Sequence, residues 1–146
     1  TASEAGLLGP PGQANYGAAK AGITALTLSA SRALERYGVR ANAICPRART
    51  SMTADVFGEA PAGEVDPLSP DHVVTLVRYL AGPASEVVNG QVFVVYGSTV
   101  TLMAAPRVQQ VFIADGDEWD ETVLGERLSG YFAEADRGTF SASDLI

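Results

Sequence analysis

Twice in this chain a stretch with helical periodicity runs directly into a short apolar run, and that repeated order narrows the available folds more than any other feature. From about Gln13 to Tyr37 the apolar positions Ile23, Leu26, Ala30 and Leu34 recur at three- and four-residue spacing, and Gly38 follows where a helix C′ residue belongs. Val39 to Cys45 is a mostly apolar run closed by Pro46, and directly after a helix it reads as a buried parallel strand. The second round opens on Ser69-Pro70, an N-cap followed by a proline at N1. It continues through Val73, Val74, Leu76, Val77 and Leu80 to Gly82-Pro83, and after Asn89-Gly90 it reaches the β-rich run Gln91 to Tyr96. Residues 1–12 predict a loop leading into the first helix, and residues 46–68 a long loop with a short helix around Thr53 to Phe57. Helix, strand, loop, helix, strand is the alternation of a parallel α/β sheet.

The first helix begins with Gly17-Ala18-Ala19 and Ala21-Gly22, small on several sides, so another backbone or a flat ligand is expected to pack closely there. It also carries the sole lysine, Lys20; the nine other basic residues are arginines. Tyr16 lies four positions earlier, one helical turn away on the same face. A tyrosine works as a general acid or base near neutral pH only if its proton affinity falls by roughly three pKa units from about 10, or about 4 kcal/mol. One cation supplies that only in a partly desolvated cleft, so a working Tyr16–Lys20 pair predicts a pocket. A compact ammonium suits the task better than a planar guanidinium shaped for bidentate anions. On spacing alone Lys20 reads more readily as an ordinary exposed helix residue, since Tyr-x-x-x-Lys occurs often by chance.

At 146 residues, 47% hydrophobic and 18% charged, the chain has the composition of one globular domain. A net charge of −7 without a visible basic patch speaks against nucleic-acid and anionic-membrane partners. No apolar stretch approaches the roughly 20 residues of a membrane helix. One Cys45 permits no internal disulfide, and with the single His72 it makes no zinc cluster, so no metal is expected and a reducing cytoplasmic setting is. Cys45 reads as a small buried residue and His72 as a surface or capping residue. The chain starts at Thr1 without a signal-like segment and is expected to derive from something longer.

The stretch from Ser3 in TASEAG through Tyr16 to Lys20, followed by NAICP and NGQVFVVYG, resembles the catalytic half of the short-chain dehydrogenase/reductase family over roughly residues 1–98. GQANYGAAKAG is most similar to β-ketoacyl-carrier-protein reductases and to 3-hydroxyacyl-CoA and hydroxysteroid dehydrogenases. The resemblance implies the C-terminal half of a Rossmann-type doubly wound sheet and hydride transfer between NAD or NADP and a small-molecule ketone or secondary alcohol, such as a 3-oxoacyl thioester or steroid. It makes Tyr16 the proton donor or acceptor, Lys20 its electrostatic partner and holder of the nicotinamide ribose, and Ser3 a donor to the same substrate oxygen. Pro46, Ala48 and Thr50 become contacts of the nicotinamide carboxamide. It implies a homo-oligomer, dimer or tetramer, that pairs the tyrosine-bearing helices.

The chain departs from the family pattern at three points. Arg47 stands where the family usually has Gly, and Tyr96-Gly97-Ser98 replaces the usual Asp-Gly-Gly. No Gly-rich pyrophosphate turn occurs, so the N-terminal cofactor half is expected to be absent. Two other readings compete. One is a non-catalytic fragment or oligomerisation scaffold, the other a sugar-nucleotide epimerase or dehydratase, against which the GQANYGAAKAG context speaks. Residues 99–146 read as an acidic extension, with eight acidic residues between Asp115 and Asp136 as a solvated face. A helix is expected over Glu121 to Glu134, burying Val123, Leu124, Leu128, Tyr131 and Phe132, with Trp119 as an anchor to the body or a neighbouring subunit.

Overall fold

The computed structural model describes residues 1–63 and 65–135. They fall into two compact units, 1–104 and, among the described residues, 105–135. The first unit carries α1 (Ala5–Leu8), α2 (Ala14–Leu34), β1 (Ala43–Pro46), α3 (Ala54–Phe57), α4 (Pro70–Ala81), β2 (Val92–Tyr96) and β3 (Thr99–Leu102). β1 and β2 pair in parallel, Ala43 opposite Val92 through Pro46 opposite Val95, as the alternation predicts. β3 returns antiparallel along β2, Thr99 opposite Tyr96 and Leu102 opposite Phe93, so the sheet is mixed, in the order β1-β2-β3. Residues 99–102, read from sequence with the extension, are thus an edge strand; three of the four are exposed, which leaves no alternation for a sequence reading to detect. Gly97-Ser98 joins the two strands, with Gly97 at φ 51°, a conformation that two-residue hairpins favour and side chains resist.

The core forms between the sheet and α2. Ala43, Cys45, Val92 and Val94 point to one face and bury Ala2, with Leu7 of α1 and Ile23 of α2 packed against them. Ile44, of opposite parity, lines a groove with Val77 and Leu80 of α4, so α2 and α4 cover opposite faces. Burial pushes the Cys45 thiol up to about 11, with the negative charge of Glu4 adding to the effect.

α2 gives way after Leu34 to a 3-10 turn, Glu35–Tyr37, which ends at Gly38, φ 73°, the terminus that the sequence predicts. β1 starts four residues later than the apolar run, because residues 40–42 make other contacts. The Arg40 guanidinium donates to the carbonyls of Leu80, Gly82 and Ser85 and to Ser85 Oγ, collecting acceptors at the C-terminal end of α4. Asn42 donates to Val88 O and accepts from Gln91 N, while Asn89 accepts from Ala41 N and donates to Ser31 O of α2. Asn89-Gly90 is therefore more than a turn; it ties the start of β2 to both β1 and α2. The Ser69 cap is observed, its Oγ accepting from Asp71 N at 3.3 Å.

Residues 5–8, expected within a loop, form the one-turn α1, and α1 is what packs on the small residues of α2. A Cβ at Gly6 would stand 2.5 Å from Ala21 N, and one at Gly17 would stand 3.0 Å from Ala5 O.

In the second unit α5 (Glu121–Glu134) matches the predicted helix and is capped by Asp120, whose carboxylate accepts from Val123 N. Leu124, Leu128 and Tyr131 are half-buried, whereas Val123 and Phe132 are exposed. Phe112 meets Tyr131 edge-on at 5.4 Å, and Arg127 donates to Ile113 O and Asp115 and lies 5.4 Å from the Trp119 ring centre. The segment 136–146 of the predicted extension lies outside the described residues.

The α1–α2 contact is testable against an internal control. Gly6→Ala is expected to destabilise the protein by about 1–3 kcal/mol through overpacking. Gly22→Ala, with nothing within 4 Å of the added carbon, is expected to stabilise it by about 0.5–1 kcal/mol through helix propensity. Denaturant midpoints of the two variants check this; equal shifts would mean that α1 is not seated on α2.

Candidate active site

Tyr16 and Lys20 stand one turn apart near the start of α2, as their spacing requires. The Lys20 ammonium lies 5.6 Å from the centre of the Tyr16 ring and donates to Thr1 O at 3.2 Å. That second contact brings the segment carrying Ser3 alongside the pair. The Ala2 N–H donates to Ile44 O at 2.8 Å, which fastens the same segment to β1. Ser3 Oγ accepts the Ala5 N–H at 3.2 Å, and among the described residues its own proton has no acceptor.

The pocket that the sequence predicts around the pair is not closed. Tyr16 is 47% exposed among the described residues of this chain.

Pro46 ends β1, and Ala48 and Thr50 lie in the loop that follows. Thr53 organises this loop: its Oγ1 donates to Ala48 O at 2.8 Å and accepts from Thr50 N at 2.8 Å, and Thr50 Oγ1 is 3.2 Å from it. The Arg47 N–H donates to Val95 O and the Arg49 N–H to Leu68 O. Pro46 has no N–H, so along 46–50 the Ala48 N–H is the backbone donor without an acceptor among the described residues. Thr50 is exposed.

Two arginines that sequence reasoning left without a role shape this region. Arg47 forms a bidentate pair with Glu4, Nε to Oε2 at 2.7 Å and a terminal nitrogen to Oε1 at 2.6 Å, with each side chain 15% exposed. Its guanidinium also lies 5.6 Å from the centre of the Tyr96 ring, so the two departures from the family pattern at 47 and 96 touch one another. The hydrogen bonds from Glu4 hold the Arg47 charge more firmly than usual. Arg49 bonds Asp66 at 2.9 Å and also donates to the carbonyls of Phe57 and Gly58, closing the long loop on itself. His72 reaches Asp66 O at 3.2 Å, a role within that loop. The presence of Arg47 in a Gly position was the one sequence signal; its partner, 43 positions away, had none.

The family model described as "Enoyl-(Acyl carrier protein) reductase" matches residues 1–97. Hydroxyacyl-CoA dehydrogenase ChsB1 of Mycobacterium tuberculosis is 65% identical over all of this chain, which covers 47% of that protein. A short chain dehydrogenase from Mycobacterium avium has a crystal structure that superposes with a TM-score of 0.73 at 36% identity, over 92% of this chain and 42% of the other. A 4-hydroxyisoleucine dehydrogenase complexed with NADH and succinate superposes with a TM-score of 0.52 at 25% identity, over 66% of this chain and 42% of the other. The chain therefore spans less than half the length of these proteins.

The loop clasp has a pH dependence of definite sign. The Arg49 hydrogen bond, with help from the Leu68 N–H, holds the Asp66 carboxyl below the usual carboxylate range. A depressed pKa contributes stability above the ordinary value near 4, lost as the pH falls through the folded-state value. Limited proteolysis between residues 51 and 65 is expected to be slow at neutral pH and to accelerate below about pH 4, and Asp66→Asn should show the fast rate at pH 7. A loop equally resistant in Asp66→Asn would mean that the clasp does not hold it.

Proposed function

Because this chain belongs to the short-chain dehydrogenase/reductase family, we propose that it carries the acid–base part of a nicotinamide-dependent oxidoreductase site. The substrate class is a ketone or secondary alcohol, best read as a 3-oxoacyl or 3-hydroxyacyl thioester. The observation that carries the reading is the Lys20 ammonium, set between the Tyr16 ring and the carbonyl of Thr1, two residues from Ser3. The hydroxyacyl-CoA dehydrogenase relative at 65% identity supports the substrate class.

The residues present fit NAD or NADP. Lys20 has three N–H donors and gives one to Thr1 O, leaving donors for the hydroxyls of a ribose. The Ala48 N–H and the Thr50 hydroxyl suit a carboxamide, with Pro46 fixing the backbone ahead of them. The cofactor, when bound, supplies or accepts the hydride. Tyr16 Oη moves the proton at the substrate oxygen, and Ser3 Oγ donates to that same oxygen. The Lys20 charge attracts the negative charge that develops on Oη. With Tyr16 open to solvent on this chain, desolvation of the pair needs surfaces from beyond the described residues. A single cysteine supports a cytoplasmic setting.

In the full-length enzyme, Tyr16→Phe is expected to abolish turnover while cofactor binding persists, and Lys20→Arg should not substitute. Ser3→Ala should lower kcat by roughly two to three orders of magnitude. Steady-state rates and cofactor titration measure these effects, and wild-type activity in Tyr16→Phe would remove the assignment.

The same reading extends to assembly. Ala18, Ala25 and Leu26 leave an exposed apolar stretch on α2, suited to approach by a second copy of the helix. Light scattering is expected to give at least a dimer, and Leu26→Glu should shift it towards monomer; a monomer at all concentrations would sink this part.

A further inference from the structure

We propose that the Glu4–Arg47 ion pair is a positioning device for Ser3, coupling the hydroxyl to the sheet through Arg47. This rests on the reading of Ser3 as a donor to the substrate oxygen.

A chain of contacts runs from the sheet to the hydroxyl. The Arg47 main chain is fixed by its N–H on Val95 O at 3.0 Å, and its guanidinium lies over the Tyr96 ring, both in β2. The guanidinium fork takes both oxygens of Glu4 at 2.6 and 2.7 Å. A bidentate pair fixes direction as well as distance, which a single ammonium contact does not. Glu4 is bonded covalently to Ser3 and begins α1, accepting the N–H groups of Leu7 and Leu8 at 2.8 Å. Ser3 Oγ in turn is held by the Ala5 N–H on the other side of Glu4. Fixing Glu4 therefore fixes the peptide units on both sides of Glu4, one joined to Ser3 and the other carrying the Ala5 N–H that holds its hydroxyl. The pair is largely shielded, each side chain 15% exposed, so water competes weakly for either partner.

Sequence context makes the arrangement specific to chains of this kind. A glycine at 47 offers no group to reach Glu4, and an aspartate at 96 would meet the guanidinium with a charge rather than an aromatic face. Arg47 and Tyr96 form one unit with Glu4, and the departures from the family pattern are two ends of one contact.

The test is a double-mutant cycle in the full-length enzyme, read as kcat at saturating cofactor and substrate. Glu4→Gln, nearly isosteric, and Arg47→Gln are each expected to lower kcat about ten-fold, as expected for a displaced donor. Combining them should cost no more than either alone. In a Ser3→Ala background, adding Glu4→Gln should cost less than two-fold, since the residue being positioned is gone. A merely structural pair would give the same ten-fold loss in both backgrounds, and that result overturns the proposal, as does wild-type kcat in Glu4→Gln or in Ser3→Ala. Tyr16→Phe is measured alongside: if it is inactive while Glu4→Gln is unimpaired, the positioning role falls and the catalytic reading stands. If Tyr16→Phe is active, the catalytic reading itself falls and takes this one with it. Arg47→Gln tests the pair from the other side should one variant fold poorly, with thermal unfolding recorded for every variant.

Discussion

Backbone lies directly on backbone where α1 crosses α2, and the rest of the site depends on that contact. Gly6 admits Ala21 N within a distance that no side-chain carbon tolerates, and Gly17, the neighbour of Tyr16, sits beneath Ala5 O. Because neither position carries a side chain, the Ser3 segment approaches closely enough for Thr1 O to receive the Lys20 ammonium. The glycines cost the helix some intrinsic stability, which packing of Leu7 and Ile23 on the sheet core offsets. The small residues of GQANYGAAKAG therefore let a second segment reach the Tyr16–Lys20 pair.

Arginine and lysine divide the labour by geometry. Arg40 gathers carbonyls at the end of α4, Arg47 grips a carboxylate in two places, and Arg49 closes a loop on Asp66 and two carbonyls. Each uses the planar fork to satisfy several acceptors at once and fasten segments far apart in sequence. Lys20, by contrast, makes one directed bond among the described residues. Charge-assisted bonds are stronger than neutral ones, so these arginines hold loops that the small apolar core does not reach.

Tyr16 faces solvent, Ile44 and α4 leave a groove on the far side of the sheet, and the family members with which the chain aligns are about twice its length. In the proposed role the pair needs desolvation, while the described surface supplies orientation and charge, and these are separable contributions.

By itself the sequence determined the elements whose signal is local. The spacing in α2 and α4, the Ser69 cap, the Gly38 terminus, the apolar run of β2 and the one-turn separation of Tyr16 and Lys20 all follow from neighbours within a few positions. The alternation of helix and apolar run pointed to the parallel sheet, and the stretch from Ser3 to Lys20 with NAICP and NGQVFVVYG pointed to the family. Tertiary structure alone decided what joins distant segments. β3 has little burial to pattern it, α1 is a single turn held by its seat on α2, and Arg47 meets Glu4 across 43 positions. Local propensity carries no information on such pairings, because the free energy that selects them arises only once the sheet has brought the two segments together.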